Sequence, residues 1–240
     1  MIIRTQFHCT VISCSQSNTS CSESDLVQIH WDLNGLHQDD PKLIQAIKQD
    51  ILIPPDSLSL SMLGGPSMKR LLGQFDQVSL VEKLLKLKKK KTSGFFIEAG
   101  AGCGEFLSNT LYLEMNYNWT GLLVEPNPDL LKLLLSKHRN AWILPHCLST
   151  TPYVEVMTFD ASMYNSGILL EGKPKPSELG GRDYKNLPKR QYERNIQVQC
   201  FPLYSVLKAL DIFPKLITSV WTLKEQSSWC SIPFLGRKST

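Results

Sequence analysis

A glycine-rich turn directly after an apolar run constrains the fold of this chain more than any other feature. Residues 95–105 read FFIEAGAGCGE, so the apolar stretch Phe95–Ala99 leads into three alternate glycines. A turn that is tight and lets a ligand approach its backbone favours residues that lack a Cβ atom. For the glycines alone, a purely structural turn between a strand and a helix is an equally good interpretation.

Apolar runs and helical spacing alternate through the following residues, as in a parallel α/β sheet. We therefore predict an α/β fold with a Rossmann-like sheet. The predicted strands are 95–99, 120–124, 141–144, 154–159 and 196–201, and the predicted helices are 78–87, 105–115, 128–137 and 203–210.

Two segments lie outside this alternation. Residues 1–61 are rich in Ser, Asp, Gln and Pro, and we predict a polar, mostly irregular N-terminal extension with one short helix near residues 41–50. Residues 162–194 contain prolines, glycines and basic side chains, which indicates a loop inserted between two strands.

A carboxylate after the second predicted strand strengthens the functional interpretation of the glycine turn. Glu125 stands where a side chain can accept hydrogen bonds from both hydroxyls of a ribose, although a surface acid at a strand end is the alternative. The glycine spacing differs from the dinucleotide pattern G-x-G-x-x-G, and Glu98 precedes the first glycine. This arrangement favours a ligand with a nucleoside and an amino-acid part, of which S-adenosylmethionine fits best.

The segments FFIEAGAGCGEFLSNTLYLE (95–114) and WTGLLVEPN (119–127) resemble the FkbM-type methyltransferase domain. They are most similar to its animal branch, which includes the membrane-anchored Star protein of growth-factor signalling. The resemblance covers about residues 73–210 and implies a class I methyltransferase sheet that binds S-adenosylmethionine. Two functions follow as hypotheses. One is an O-methyltransferase, which loss of its later strands would make weak or inactive, and the other is a non-catalytic trafficking and signalling scaffold.

The resemblance also implies a set of cofactor-binding residues. Around the glycine turn these are Glu98, Gly100, Ala101, Gly102 and Gly104, which would lie at the methionine end of the cofactor. Glu125 would bind the ribose, with Pro126 and Asn127 beside the adenosine. Cys103 stands where related sequences often have Asp, which predicts weaker cofactor binding. The resemblance supplies neither a catalytic base nor a metal site.

Other polar residues are weaker candidates for the site. Asp160 and Ser162 follow a predicted strand and could face a methyl acceptor, although a turn explains the Asp equally well. His146 and Cys147 follow the third strand, where a satisfied His beside a buried Cys is the simpler interpretation. A basic loop could recognise an acidic acceptor, or could simply be solvated; it contains Tyr184, Lys185, Lys189, Arg190 and Arg194.

The C-terminal segment departs from the family pattern, in which a strand reads approximately VDYFSLDIEGAE. In the frame that joins the third base of each codon to the first two bases of the next, the codon that spans Trp221 and Thr222 must encode Asp. The codon that spans Trp229 and Cys230 must encode Val in the same frame. With ordinary codon choices residues 216–231 then yield DYFSLDIEGAEFLVL. We therefore predict a methyltransferase-like domain over residues 73–211, an out-of-frame tail over 212–240, and a sheet that is incomplete at its C-terminus.

Composition limits the partners and the compartment. The formal net charge of +4 equals the charge of the four lysines 88–91, so the positive excess is local and does not cover a whole surface. No nucleic-acid partner is therefore expected. No apolar window is long enough for a membrane span, so the chain as written is expected to be soluble. The resemblance implies that full-length Star-like relatives are anchored in endoplasmic reticulum, Golgi or endosomal membranes. The unknown methyl acceptor and a protein of the secretory pathway are the expected partners. The seven cysteines form no C-x-x-C pair, and the sequons at Asn18 and Asn118 matter only in a secretory lumen.

Overall fold

The computed structural model describes residues 27–62, 73, 77–90, 93–161, 167–169, 195–212 and 219–223. The basic loop around Tyr184 and the candidate Ser162 lie outside the described residues. Within them, the strands in chain order are β1 (Phe95–Ala99), β2 (Thr120–Val124), β3 (Trp142–Leu144), β4 (Cys147–Ser149), β5 (Glu155–Asp160), β6 (Gly167–Ile168), β7 (Asn195–Pro202) and β8 (Ser219–Leu223).

The helices follow the predicted alternation with the strands. A 3-10 turn, Trp31–Leu33, precedes them, and a π-helical turn, Ile47–Ile51, continues the first of them. In chain order they are α1 (Pro41–Ala46), α2 (Gln77–Leu85), α3 (Leu87–Lys90), α4 (Leu111–Tyr117), α5 (Pro128–Leu135) and α6 (Leu203–Ala209).

The central sheet contains four parallel strands in the order β3-β2-β1-β8. Strands β1 and β2 pair over their full lengths, from Phe95 opposite Thr120 to Ala99 opposite Val124. From β1 the chain adds β2 and β3 on one side, and it returns much later to add β8 on the other side. The strand order therefore reverses at β1, and the carboxyl end of such a reversal is where open α/β sheets bind ligands.

The sheet was predicted to be incomplete at its C-terminus, but the segment beyond residue 211 contributes a strand to it. Residues Ser219–Leu223 form β8 beside β1, with Phe95 opposite Ser219 and Ala99 opposite Leu223. The segment reads SVWTL, which is rich in β-branched and aromatic residues that favour strands. An unpaired strand edge forms backbone hydrogen bonds whatever side chains its partner carries. Strand pairing does not test the reading frame, and the frame change stays a prediction.

A second sheet receives the later strands, in the order β4-β7-β5-β6. The sequence predicted strands β5 and β7 to within about one residue of their observed bounds, but it did not separate them from the parallel sheet. Strands β5 and β7 pair in antiparallel fashion, from Glu155 opposite Cys200 to Asp160 opposite Asn195. The short strand β4, which was not predicted, pairs with β7 in parallel.

The helix predicted at residues 105–115 begins later than expected, at Leu111. Residues 101–110 form turns instead, and both Gly104 (φ 74°) and Leu107 (φ 55°) have left-handed backbone conformations that interrupt a right-handed helix.

The N-terminal segment packs into the domain, although the sequence indicated a separate extension. Its apolar side chains share one core cluster with Ile97 of β1, Leu122 of β2 and Phe201 of β7. Backbone pairing adds to this contact, because Ile53 forms a β-bridge with Ile143 of β3. The buried side chains of the segment are Leu33, Leu43, Ile47, Ile51 and Leu52.

Among the residues described, no helix is long and apolar enough to cross a membrane. The same residues include no cluster of His, Cys, Asp and Glu side chains that could hold a metal ion.

Candidate functional site

The glycine turn lies across the carboxyl ends of β1 and β2. The amides of Gly100 and Ala101 donate to the carbonyl oxygen of Val124, at 2.9 and 3.0 Å. The amide of Gly102 donates to Oε2 of Glu125 at 2.6 Å. The two sequence motifs, which are more than twenty residues apart in the chain, therefore meet at one end of the sheet.

Glycine is required in this turn by backbone conformation and by packing. Gly100, Gly102 and Gly104 all have positive φ angles, of 76°, 61° and 74°. A Cβ atom added to Gly104 would lie 2.4 Å from Cδ1 of Leu134, a buried residue of α5. An L side chain at position 104 would therefore be strained, and the Leu134 side chain would have to shift to make room for it.

Glu125, the predicted ribose acceptor, is buried, with 2% of its surface exposed. Its Oε2 accepts from Gly102, and its Oε1 accepts from the amide of Asn127 at 2.9 Å. The carboxylate lies in the predicted position but faces the turn. Because the carboxylate is covered, a ribose could reach it only if neighbouring atoms of the turn moved aside.

Asn127, predicted to lie beside the adenosine, caps the N-terminus of α5. Its Oδ1 accepts from the amide of Asp129 at 3.0 Å, and its Nδ2 donates to the carbonyl of Ala161 at 3.0 Å. The preceding Pro126 is buried, and Pro128 occupies the first helical position, where its missing N–H is not needed. Both ends of the Asn127 amide therefore bind backbone and tie α5 to the end of β5.

Glu98 is fully buried in β1, just before the glycine turn. Its carboxylate accepts from three donors: the Ser108 hydroxyl at 2.8 Å, the backbone N–H of Asn109 at 2.9 Å and the Thr110 hydroxyl at 2.6 Å. The sequence predicted this residue at the methionine end of the cofactor. In the structure its bonds fix residues 108–110 and hold the start of α4 in place.

Arg139 is a residue of this site that sequence reasoning missed. Its fully buried side chain donates through Nε to Glu114 at 2.6 Å and through Nη2 to the Thr110 hydroxyl at 3.1 Å. Its Nη1 donates to the carbonyl oxygen of Gly104. In the sequence Arg139 follows Lys137 and His138 and reads as an exposed basic helix end, so no local signal distinguishes it.

A second buried ion pair lies beside the first. Lys137 Nζ is 2.8 Å from Oε2 of Glu105, and the two side chains are only 3% and 6% exposed. Buried charges of this kind are tolerated when they are paired and hydrogen-bonded. Residues 104–110 are therefore held by two cations from the segment after α5.

The other polar residues that the sequence offered as candidates, where the structure describes them, are buried or bonded within the fold. Asp160 is buried at the end of β5, and Cys103 is a free thiol whose Sγ accepts from the Phe106 amide at 3.4 Å. Cys147, interpreted from the sequence as an ordinary buried Cys, instead forms a disulfide with Cys200.

His146 is buried with its ring 5.0 Å from that of Phe201 and 6.1 Å from that of His30. Burial, with a smaller contribution from His30, lowers the pKa of His146 to about 3. The imidazole is therefore neutral at physiological pH. Its Nδ1 has no hydrogen-bond partner in the described part of the chain.

No family model, no curated protein and no solved structure matches this chain. The resemblance given by the two sequence motifs therefore stays a prediction, and the geometry of the glycine turn is the basis for a functional proposal.

Proposed function

We propose that the α/β domain binds S-adenosylmethionine at the glycine turn and acts as an FkbM-like methyltransferase, by O-methyl transfer to an acceptor of unknown identity. The observation that carries this proposal is the hydrogen bond from the Gly102 amide to Glu125 Oε2. It brings the glycine turn and the acidic strand end together beside β1, where the strand order reverses.

The chemistry of these residues suits the proposed ligand. A carboxylate such as Glu125 accepts hydrogen bonds from a ribose diol, and the glycines at 100, 102 and 104 let a ligand approach the backbone. The bound cofactor would supply a methyl group already activated on a sulfonium centre. The domain would then contribute mainly by holding an acceptor oxygen in line with that group.

Binding requires a change in the turn, because Glu125 is buried and bonded to Gly102. We infer that residues 100–104 move away from Glu125 when the ligand enters. The free energy of that movement lowers the apparent affinity, as expected whenever the competent conformation is a minor one.

The same closed arrangement favours a second function, a Star-like scaffold that has kept the fold but binds no cofactor. In that case the contacts of Glu98, Glu125 and Asn127 are purely structural. A membrane anchor encoded upstream, together with a lack of cofactor binding, would support the scaffold.

Isothermal titration of the purified chain with S-adenosylmethionine separates the two functions. We expect binding by the unaltered protein and roughly 10- to 100-fold weaker binding by Glu125→Ala, because charge-assisted hydrogen bonds contribute about 1.5–3 kcal/mol. Glu155→Gln is the matched control, since this carboxylate also accepts local hydrogen bonds but lies in the second sheet. Circular dichroism verifies that each variant is folded.

Two results would contradict cofactor binding. One is no heat signal with the unaltered protein, also after the reading frame beyond Asp211 has been restored. The other is equal affinity of the Glu125 and Glu155 variants. Sequencing the transcript across the codons for residues 207–240 determines which frame the natural protein uses.

A further inference from the structure

Two buried cysteines are joined across the second sheet. Cys147 of β4 and Cys200 of β7 are register partners on neighbouring parallel strands and form a disulfide. Both are buried, at 3% and 0% exposure, in a cluster with Phe159, Ile168 and Val198. An oxidant cannot reach them in the folded domain, so the bond forms while the chain folds. Such bonds form and persist in secretory and extracellular compartments and are rare in the cytosol.

An independent feature of the surface indicates the same compartment. The sequence Asn118-Trp119-Thr120 is an N-glycosylation sequon, and it forms the turn between α4 and β2. Asn118 and Thr120 are both exposed, whereas Trp119 is fully buried. The buried indole anchors the turn and leaves the acceptor amide and the hydroxyl of the sequon on the outside.

The backbone conformation of Asn118 leaves its side chain exposed to solvent. Asn118 ends α4 in the left-handed conformation, with φ 54° and ψ 37°, and its backbone N–H donates to the carbonyl oxygen of Glu114 at 3.1 Å. Its side-chain amide takes part in no hydrogen bond among the described residues. Asn adopts this conformation readily, so helix capping alone can explain its presence. The exposed Thr120 and the disulfide are the observations that favour glycosylation in addition to helix capping.

The sequon is also at the opposite end of the sheet from the glycine turn. Asn118 precedes the first residue of β2, whereas Glu125 follows the last residue. A strand of five residues spans roughly 16 Å at ~3.3 Å per residue. An oligosaccharide on Asn118 would therefore project away from the candidate cofactor site.

We propose that this domain folds in the lumen of the secretory pathway, where Asn118 receives an N-linked oligosaccharide and Cys147 and Cys200 are oxidised. In glycosylation Nδ2 of Asn118 loses a proton and forms a bond to the anomeric carbon of the sugar. The bond from that carbon to a lipid diphosphate breaks, and the lipid diphosphate leaves. In oxidation the two thiols give two protons and two electrons to a luminal dithiol–disulfide oxidoreductase. This inference does not depend on cofactor binding.

Glycosidase treatment of the full chain expressed in insect cells tests the first modification. The Asn18→Gln background removes the other sequon, so that any remaining shift reports on Asn118. We expect a loss of apparent mass after peptide N-glycosidase treatment. The shift should persist in Thr120→Ser, which keeps the acceptor hydroxyl, and should be lost in Thr120→Val and in Asn118→Gly. Glycine suits the left-handed conformation at position 118, so the last variant preserves the fold.

Thiol labelling of the same material tests the second modification. Cells are treated with a maleimide before lysis, and the denatured protein is then labelled with a second maleimide with and without a reductant. We expect Cys147 and Cys200 to take up the second label only after reduction, as read by peptide mass spectrometry. The absence of a glycan at Asn118, or labelling of either Cys with the second maleimide in the absence of reductant, overturns the proposal.

Discussion

His146 makes the stability of the fold depend on pH. Its pKa is lowered from 6.5 to about 3, first because the ring is buried and second because His30 lies nearby. Above pH 6.5 the imidazole is neutral in both the folded and the unfolded chain. As the pH falls from 6.5 towards 3, the unfolded chain binds a proton that the folded chain does not, so the free energy of unfolding falls.

We predict that His146→Leu removes part of this dependence. Between pH 7 and pH 5 the His146 contribution amounts to about 2 kcal/mol, from 1.36 kcal/mol per pH unit below the unfolded pKa. Urea unfolding at the two pH values measures it. His37→Gln, at a side chain that is 46% exposed, is the control and should keep the dependence of the parent. Equal losses of stability in His146→Leu and the parent would contradict the assignment. His30 keeps some dependence in the variant, because burial lowers its pKa as well.

At the scale of elements, Arg139 joins the glycine turn to α4. One guanidinium binds the Gly104 carbonyl, the Thr110 hydroxyl and the Glu114 carboxylate. Its planar arrangement of donors suits three partners in different directions, whereas a lysine presents a single compact cation. The turn between β1 and α4 is therefore fixed by a side chain that enters from the segment before β3.

We predict that Arg139→Met destabilises the domain by about 3–5 kcal/mol, because it leaves the buried Glu114 carboxylate without its cation. Arg139→Lys should recover part of the loss by restoring the charge. The control is Lys83→Met, an exposed α2 position where a change within about 0.5 kcal/mol is expected. Chemical denaturation of the three variants provides the comparison. A loss from Arg139→Met no larger than that of the control would show that the network is not a major source of stability.

The elements that the sequence predicted well are those with strong local signals. Strands β1 and β2 were predicted with their observed bounds, because each is a short apolar run that is buried in the sheet. The start of α5 was also predicted at its observed position, and there Asn127 and Pro128 form a helix-start pattern.

Two elements were mispredicted for different reasons. Helix α4 starts late because Glu98 binds Ser108, Asn109 and Thr110, and the local sequence carries no trace of that contact. Strand β8 was excluded by comparison with a family pattern, although its own residues favour a strand.

The sequence predicted that the glycine turn and Glu125 lie close together, but not the conformation in which they meet. Sequence reasoning indicated that the glycine turn and Glu125 come together, and a direct hydrogen bond joins them. Burial of both Glu98 and Glu125 follows from packing around the turn, which no motif encodes. The role of Arg139 follows from the same packing.

At the scale of the whole molecule, the N-terminal segment links the two sheets. The His30 amide donates to Oε1 of Gln199 in β7 at 2.9 Å, and Gln199 Nε2 donates back to the His30 carbonyl at 3.0 Å. Further along, the Gln38 carbonyl accepts from the Ser205 hydroxyl of α6 at 2.8 Å. The polar composition of this segment predicted an extension outside the domain. Its apolar residues instead form part of the core, and its backbone bonds to β7 and α6.

The disulfide contributes to the stability of this assembly by limiting the unfolded chain. Cys147 and Cys200 are 53 residues apart, and closing a loop of that length raises the free energy of the unfolded state by about 4 kcal/mol at room temperature, because the unfolded chain loses entropy. The loop includes β5 and β6, so the bond connects both ends of the segment that builds most of the second sheet. We therefore predict that Cys147→Ala/Cys200→Ala unfolds at a much lower urea concentration than the parent.

Reductant provides the internal comparison for this prediction. Added during unfolding, it should lower the parent's free energy of unfolding towards that of the double variant, and it should leave the double variant unchanged. Cys103→Ala is the matched control, because Cys103 is a partly exposed free thiol and its removal should change stability by less than about 0.5 kcal/mol. If reductant leaves the parent unaffected, the two sulfurs are not joined. In that case the packing of the apolar cluster around Cys147 and Cys200 holds β4 against β7 without a covalent bond.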